Sequence, residues 1–522
     1  MKIKIQHLAG ALALAAFSLP AAAQVSFQSL GTPGGFVDVS DMSADGSAFV
    51  ATSNGQAYLW TTSNPIYTPI PGTNGVYSSY SVSNGGLFVC GTMPDSSGND
   101  VAARWSKATG QWTLLGGLVG QSGTSISSAY DISEDGSVVV GLGWVTPNIA
   151  HAFRWDPVGG LVDLGTLAGA LLSSSRADGV SADGTTITGF DSDPVTGVWR
   201  GVVWTNLVET QTGSLDPADP IDGPSQGFAV SATGTYVVGE SSTGLFTPSF
   251  WNENHAFRYD TTNGLLDLGT TPVDPFGWGN HATIPTGVSA DGRTVVGLSG
   301  VAAFGPGAVQ PLFIWNEGYP MMLLSDYLVA LGATQVSAWT LERVAGISSN
   351  GRVLYGHATN NTTFAREVFK ITIPTPAQTY CTAKINSRGC YPAISVTGFP
   401  NPSSNSGFVV KASNVLNNKN GLLFYGVSGR AAGPFQFGTL CVRSPIKRST
   451  AVNSGGVIGL PNCTGVFSLD MNAFAAGALG GNPLPALRVP GTVVDCQWWG
   501  RDPGFPAPNN STLSDAVEYM VP

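Results

Sequence analysis

The feature that most constrains this chain is a repeat. An apolar residue, a Ser, two turn-forming residues and a Gly recur seven times between residues 42 and 351. The copies read Met42-Ser43-Ala44-Asp45-Gly46, Val82-Ser83-Asn84-Gly85-Gly86, Ile132-Ser133-Glu134-Asp135-Gly136 and Val180-Ser181-Ala182-Asp183-Gly184. Val230-Ser231-Ala232-Thr233-Gly234, Val288-Ser289-Ala290-Asp291-Gly292 and Ile347-Ser348-Ser349-Asn350-Gly351 complete the set. Closing glycines lie 40, 50, 48, 50, 58 and 59 residues apart, and every copy keeps its Ser and last Gly. Asp-Gly or Asn-Gly supplies the positive φ of a tight hairpin turn, and the Ser hydroxyl can bond a turn amide.

Short strand-like runs follow each turn. Ser137-Val138-Val139-Val140-Gly141 and Arg293-Thr294-Val295-Val296-Gly297 come first. A second run ends in an aromatic residue, as in Ala103-Arg104-Trp105, and a closing run reads like Leu161-Val162-Asp163-Leu164-Gly165. Four short strands per unit match one propeller blade. Ser26–Gly31 resembles a closing strand without the rest of its unit, and the seventh unit stops at Ile371 without a closing strand. The expected fold over residues 24–372 is therefore a seven-bladed β-propeller of four-stranded blades, closed by the N-terminal strand. Six or eight blades and an open solenoid are the alternatives.

The repeat resembles the bacterial extracellular HAF repeats, through His151-Ala152-Phe153, His255-Ala256-Phe257 and the Ser-Ala-Asp-Gly turns. The resemblance implies export and a propeller-like fold, with no common reaction. Five of the seven copies lack the tripeptide, so the likeness rests mainly on the turn.

Residues 1–23 have the pattern of a signal peptide: Lys2 and Lys4, an apolar run from Leu8 to Leu19, and Ala21-Ala22-Ala23 before the expected cut. No later stretch reaches the 18 apolar residues of a membrane span. A secreted or cell-surface location is expected.

Residues 373–378 form a linker with two prolines, and composition changes beyond it. Residues 24–375 carry 11 basic and 28 acidic side chains; residues 376–522 carry ten basic and five acidic. The net charge of −10 makes nucleic acid an unsuitable partner. Residues 379–522 are expected to form an antiparallel β-sandwich. They resemble a Cys-containing C-terminal β-domain of secreted bacterial proteins through Tyr380-Cys381-Thr382-Ala383-Lys384, Gly421-Leu422-Leu423-Phe424-Tyr425-Gly426 and Val493-Val494-Asp495-Cys496-Gln497-Trp498-Trp499-Gly500-Arg501-Asp502. That likeness implies an accessory module without catalytic residues.

Cys381, Cys390, Cys441, Cys463 and Cys496 are candidate disulfide residues in an oxidising compartment. Five thiols allow at most two bridges; Cys381–Cys390 and Cys441–Cys463 would close the shortest loops, and the pairing stays open. Cys90 stands where other copies have Val50, Val140, Val238 and Val296, and reads as a buried hydrophobe.

With five His and no recognisable nucleophile, metal or phosphate motif, no cofactor, metal or catalytic residue is assigned. Trp498, Trp499 and Arg501 are the ligand-binding candidates, with one Trp expected in the core because strand neighbours face opposite ways. The expected function is a monomeric, non-enzymatic interaction protein for an envelope or extracellular polymer or protein. A secreted carbohydrate-active enzyme using carboxylates in the propeller channel is the alternative.

Overall fold

A computed structural model describes residues 25–118, 125–169, 173–221, 223–246, 252–271, 282–300, 311–317, 319–373, 377–457, 459–489 and 491–521. The expected leader, residues 1–23, lies outside these, as does the middle of the expected linker, 374–376.

Each repeat unit folds as a four-stranded antiparallel sheet, and seven occur among the described residues. Their first strands are Val37–Met42, Ser81–Val82, Ser127–Ile132, Ser175–Val180, Ser225–Val230, Thr283–Val288 and Trp339–Ile347, which number sheets 1 to 7. The repeat turn joins the first strand to the second. Its Ser hydroxyl accepts the N–H five residues on in all seven copies, at 2.9–3.0 Å. In the four Asp copies the same hydroxyl donates to the Asp carboxylate at 2.6–2.7 Å. One side chain thus both donates and accepts inside the turn, which only a hydroxyl of this size can do.

The turns also bind sheet to sheet. A Cβ on Gly136 would overlap the Phe88 ring of sheet 2, and Gly184 faces Val138 of sheet 3 in the same way. Gly46 in sheet 1 faces Val353 in sheet 7. Ser349 N–H donates to Ala44 O at 2.6 Å, and Tyr355 Oη donates to Gly46 O at 3.1 Å. Val37, Val39, Phe49 and Trp60 of sheet 1 share a core with Tyr355 and Val368 of sheet 7. The outer strand of sheet 7 is Ser26–Gly31, antiparallel to Arg366–Thr372 with Phe27 opposite Ile371. Phe27 packs on Trp339 and Phe369, so this strand is held by side chains as well as by the backbone ladder.

Beyond residue 377 two antiparallel sheets enclose a second core. The larger orders Gln378–Tyr380, Ser511–Met520, Val493–Arg501 and Asn420–Gly426, with Lys447–Arg448 and Val452–Asn453 along its far edge. The smaller orders Ala393–Gly398, Phe408–Val415 and Gly465–Asp470. Phe408, Val410, Phe467 and Leu469 of one meet Tyr425, Val494, Trp498 and Val517 of the other. This unit touches the helix Leu324–Ala330 that follows sheet 6: Phe399 packs edge-on against Tyr327 at 4.9 Å, and Asn401 Nδ2 donates to Ala330 O at 2.9 Å.

The disulfides differ from the shortest-loop pairs. Cys381 bonds Cys441 and Cys390 bonds Cys463, spanning 60 and 73 residues. Adjacency in the fold decides this, since Tyr380 Oη donates to Cys441 O at 2.8 Å and brings Cys381 to that strand. Cys496, a candidate for pairing, is a free thiol in the core between the sheets. Cys90 is also free and fully buried.

Candidate functional site

Two residues before each repeat Ser, the first strands carry Asp41, Ser81, Asp131, Gly179, Ala229, Gly287 and Gly346. All of these positions except Gly179 line an axial space, which the first strands of all seven sheets reach. Small residues on four strands leave room there; an Asp-Ser-Asp sequence across three neighbouring strands fills the other side. On the side away from the repeat turns the space opens into a cavity of about 500 Å³. Ser40, Ser78, Tyr80, Tyr130, Asp178 and Arg343 are among the residues that line it.

The Asp-Ser-Asp group has a definite proton count. Ser81 Oγ lies 2.7 Å from Asp41 Oδ2 and 2.8 Å from Asp131 Oδ1. A hydroxyl has one proton, so it donates to only one carboxylate. The second short contact requires a proton on the other carboxyl. Burial first, and then the charge of Asp41, push Asp131 up to about 7. Burial also raises Asp41. The pair therefore shares one proton near neutral pH.

The same oxygens bind the frame. Asp41 Oδ2 accepts Val82 N–H at 3.0 Å, and Asp131 Oδ2 accepts Val180 N–H at 2.8 Å. Ile132 N–H donates to Asp131 Oδ1 at 2.8 Å. The two carboxylates thus connect the inner strands of sheets 1 to 4. Asp178, raised to about 6 by burial against the pull of Arg176, accepts Gln226 Nε2 from sheet 5 at 3.0 Å. At the turn end, Glu134 takes Asn84 Nδ2 at 2.8 Å and Ser349 Oγ at 3.2 Å, joining sheets 2, 3 and 7.

The repeat histidines have partners in their own sheets. His151 Nδ1 lies 2.9 Å from Asp163, and His255 Nδ1 lies 2.9 Å from Asp267. Each partner is the Asp of the closing Leu-x-Asp-Leu-Gly run, 12 residues on. Burial alone would lower His255, but Asp267 and Glu253 outweigh it and raise its pKa. Among the described residues no three His, Cys, Asp or Glu side chains cluster as a metal would require.

Trp498, Trp499 and Arg501 lie in the C-terminal unit, apart from the axial space. Trp498 is buried and stacks on Phe467 at 5.3 Å. Trp499, on the opposite face, is half-buried beside Phe424 and Leu513, and its Nε1 donates to Gln436 Oε1 at 3.3 Å. Arg501 is exposed at the end of the same strand. Asp502 holds the following loop by accepting Ser387 N–H at 2.7 Å and Ser387 Oγ at 2.6 Å. Sequence reasoning missed Asp41, Ser81 and Asp131. Their signal was available: at one repeat position they replace the Gly or Ala of the other four copies.

No protein-family profile matches the chain, and no curated protein does. Among solved structures it is similar to the β-propeller domain of the Trilobed protease from Pyrococcus furiosus, with 12% identity and a TM-score of 0.40 over 64% of this chain and 95% of that one. It is similar to a putative TolB from Agrobacterium tumefaciens, with 14% identity and a TM-score of 0.32 over 55% and 78% of the two chains. A third similarity is to Kuenenia stuttgartiensis hydrazine synthase, with 12% identity and a TM-score of 0.38 over 72% and 100%. Likeness this distant carries no activity over to this chain.

Proposed function

We propose that the chain is an exported, non-enzymatic interaction protein of the HAF-repeat kind. In this reading its seven sheets form a closed seven-bladed β-propeller, and residues 379–522 are a β-sandwich that associates with an envelope or extracellular polymer. Contacts between sheets 1 and 7 support closure, and the shared core of the two C-terminal sheets supports the sandwich. The two disulfides suit an oxidising compartment, and no helix among the described residues is long and apolar enough to cross a membrane.

One observation carries the non-enzymatic reading. Asp41 Oδ2 and both oxygens of Asp131 are engaged by Ser81 and by the backbone amides of Val82, Ile132 and Val180. A general acid or base must present its oxygen to substrate, whereas these hold the frame together. The hydroxyl-lined cavity above them is left as a binding space.

The runner-up, a carbohydrate-active enzyme, is favoured by the proton that Asp131 retains to about pH 7. Incubating the purified chain with a polysaccharide panel separates the two. No cleavage is expected; robust cleavage abolished by Asp131→Asn would sink the binding reading. For the C-terminal unit, a truncation ending at Thr375 should be lost from envelope fractions. Salt-insensitive or absent envelope association of the full chain would end the anchoring role.

A further inference from the structure

A second hollow, of about 330 Å³, lies between sheets 4 and 5 on the side away from the repeat turns. Its size is that of a small-molecule pocket. Two of its residues depart from the repeat. Trp199 stands five positions before the strand aromatic Trp204, where other copies have Gly55, Asp100, Ala150 and Asn254. Glu240 follows the second-strand Gly239, where the other sheets place Thr52, Thr92, Leu142, Phe190, Leu298 and His357, none of them acidic. Repeated residues explain packing; two departures meeting in one hollow need another account.

The Trp199 ring is 49% exposed, yet it is held in place. It stacks on Phe190 at 4.4 Å with the planes 13° apart, and the Arg176 guanidinium lies 4.9 Å from the Phe190 ring. Arg176 is fixed in turn by Asp178 at 2.7 Å. The result is a rigid aromatic plate with one face buried and part of the ring open to solvent. Glu240 and Asn254 line the same hollow, and neither side chain has a hydrogen-bond or ion-pair partner among the described residues. Burial raises the Glu240 pKa, with no cation beside it to offset the effect. Both side chains are partly exposed, so the hollow presents a carboxyl and an amide to solvent with no protein partner on either.

We infer that this hollow binds a pyranose ring of a neutral glycan, with the sugar's C–H face on Trp199 and its hydroxyls on Glu240 and Asn254. A pyranose matches both halves of the site. Its axial C–H bonds present a weakly positive apolar face to the negative face of the indole. Its equatorial hydroxyls both donate and accept, as a carboxyl and an amide require. The inference rests on the interaction reading above and supplies a ligand class for it, at a site separate from the axial carboxylates.

The test is isothermal titration of the full chain with four neutral hexasaccharides: β-1,4-linked glucose, mannose, xylose and N-acetylglucosamine oligomers. At least one should bind. Trp199→Ala should weaken it by about ten-fold or more, as loss of an aromatic anchor does, while unfolding stays one cooperative transition, lowered only by the lost stack on Phe190. Trp199→Phe should retain most of the affinity, and Glu240→Gln should reduce it. Equal binding by the parent and Trp199→Ala would overturn the hollow as the site while leaving the interaction reading intact. Failure of all four probes would overturn the ligand class. Cleavage of a probe, lost in Asp131→Asn, would instead overturn the non-enzymatic reading alone, since Trp199→Ala would then still weaken binding.

Discussion

Replacing Asp41 by Asn isolates the proton that the axial carboxylates share. Asp131 keeps its proton to about pH 7 in the folded chain, against an ordinary value of 3.8. Below about pH 4 both folded and unfolded chains hold that proton, and its contribution to stability is complete. Between pH 4 and 7 the unfolded chain releases it while the folded chain does not. Stability then falls by about 1.4 kcal/mol per pH unit, up to ~4 kcal/mol in all. Above pH 7 both states are ionised and the loss is complete. Asp131 faces the axial space, so solvent screening should bring the loss between pH 5 and pH 8 to roughly 2 kcal/mol. Asp41→Asn removes the second cause of the raised value and leaves the first, burial. The loss over that interval should therefore shrink by about 1 kcal/mol. Urea unfolding of parent and variant at pH 5 and pH 8, followed by tryptophan fluorescence, measures this as a double difference. Other titrating groups cancel in it, including Asp178 and Glu209, which burial raises, and His357, which burial and neighbouring arginines lower; Asp41's own titration, also raised by burial, leaves with its carboxyl and shrinks the loss in the same direction. If Asp41→Asn loses as much stability as the parent between the two pH values, the carboxyls do not share a proton.

The turn glycines should rank by what their Cβ would meet. Gly136→Ala, at φ +73° against the Phe88 ring, should cost about 3 kcal/mol, combining backbone strain with overpacking. Gly351→Ala, at φ +70° with its nearest neighbour at 3.4 Å, should cost only about 1 kcal/mol; equal losses in thermal denaturation would refute the packing argument. Deleting residues 25–31 should bare the edge strand Arg366–Thr372 and lower the melting temperature or cause aggregation, and an unchanged, monodisperse protein would contradict it. Without reductant, iodoacetamide should label no cysteine in the native chain and two after denaturation, Cys90 and Cys496, as read by intact mass. Labelling of any other cysteine would contradict the bridges.

The repeat was legible because its turn is a local device. Ser, Asp and Gly within five residues satisfy one another, so no distant contact is needed to recognise them. The strand Ser26–Gly31 was also legible, since a closing strand at one end matched an unclosed unit at the other. What sequence reasoning missed is non-local. The Asp41–Asp131 pair depends on strands 90 residues apart lying side by side, with Ser81 between them. Disulfide choice depended on which loops met in space, and loop length carried no information about that. Trp498 and Trp499 drew notice as a dense aromatic cluster, yet one is core and the other half-covered.

The strand Ser26–Gly31 sets an order on assembly. Ser29 and Glu367, bonded across its ladder, are 338 residues apart. Bringing such ends together through a flexible chain costs about 5 kcal/mol of entropy, more than one short strand can return. The cost vanishes once the intervening sheets have formed and already hold the two ends beside each other. The first strand among the described residues is therefore the last to find its place. In the closed ring proposed above it would act as a latch over the finished set of sheets, and one repeat too few or too many would leave it with nothing to close on.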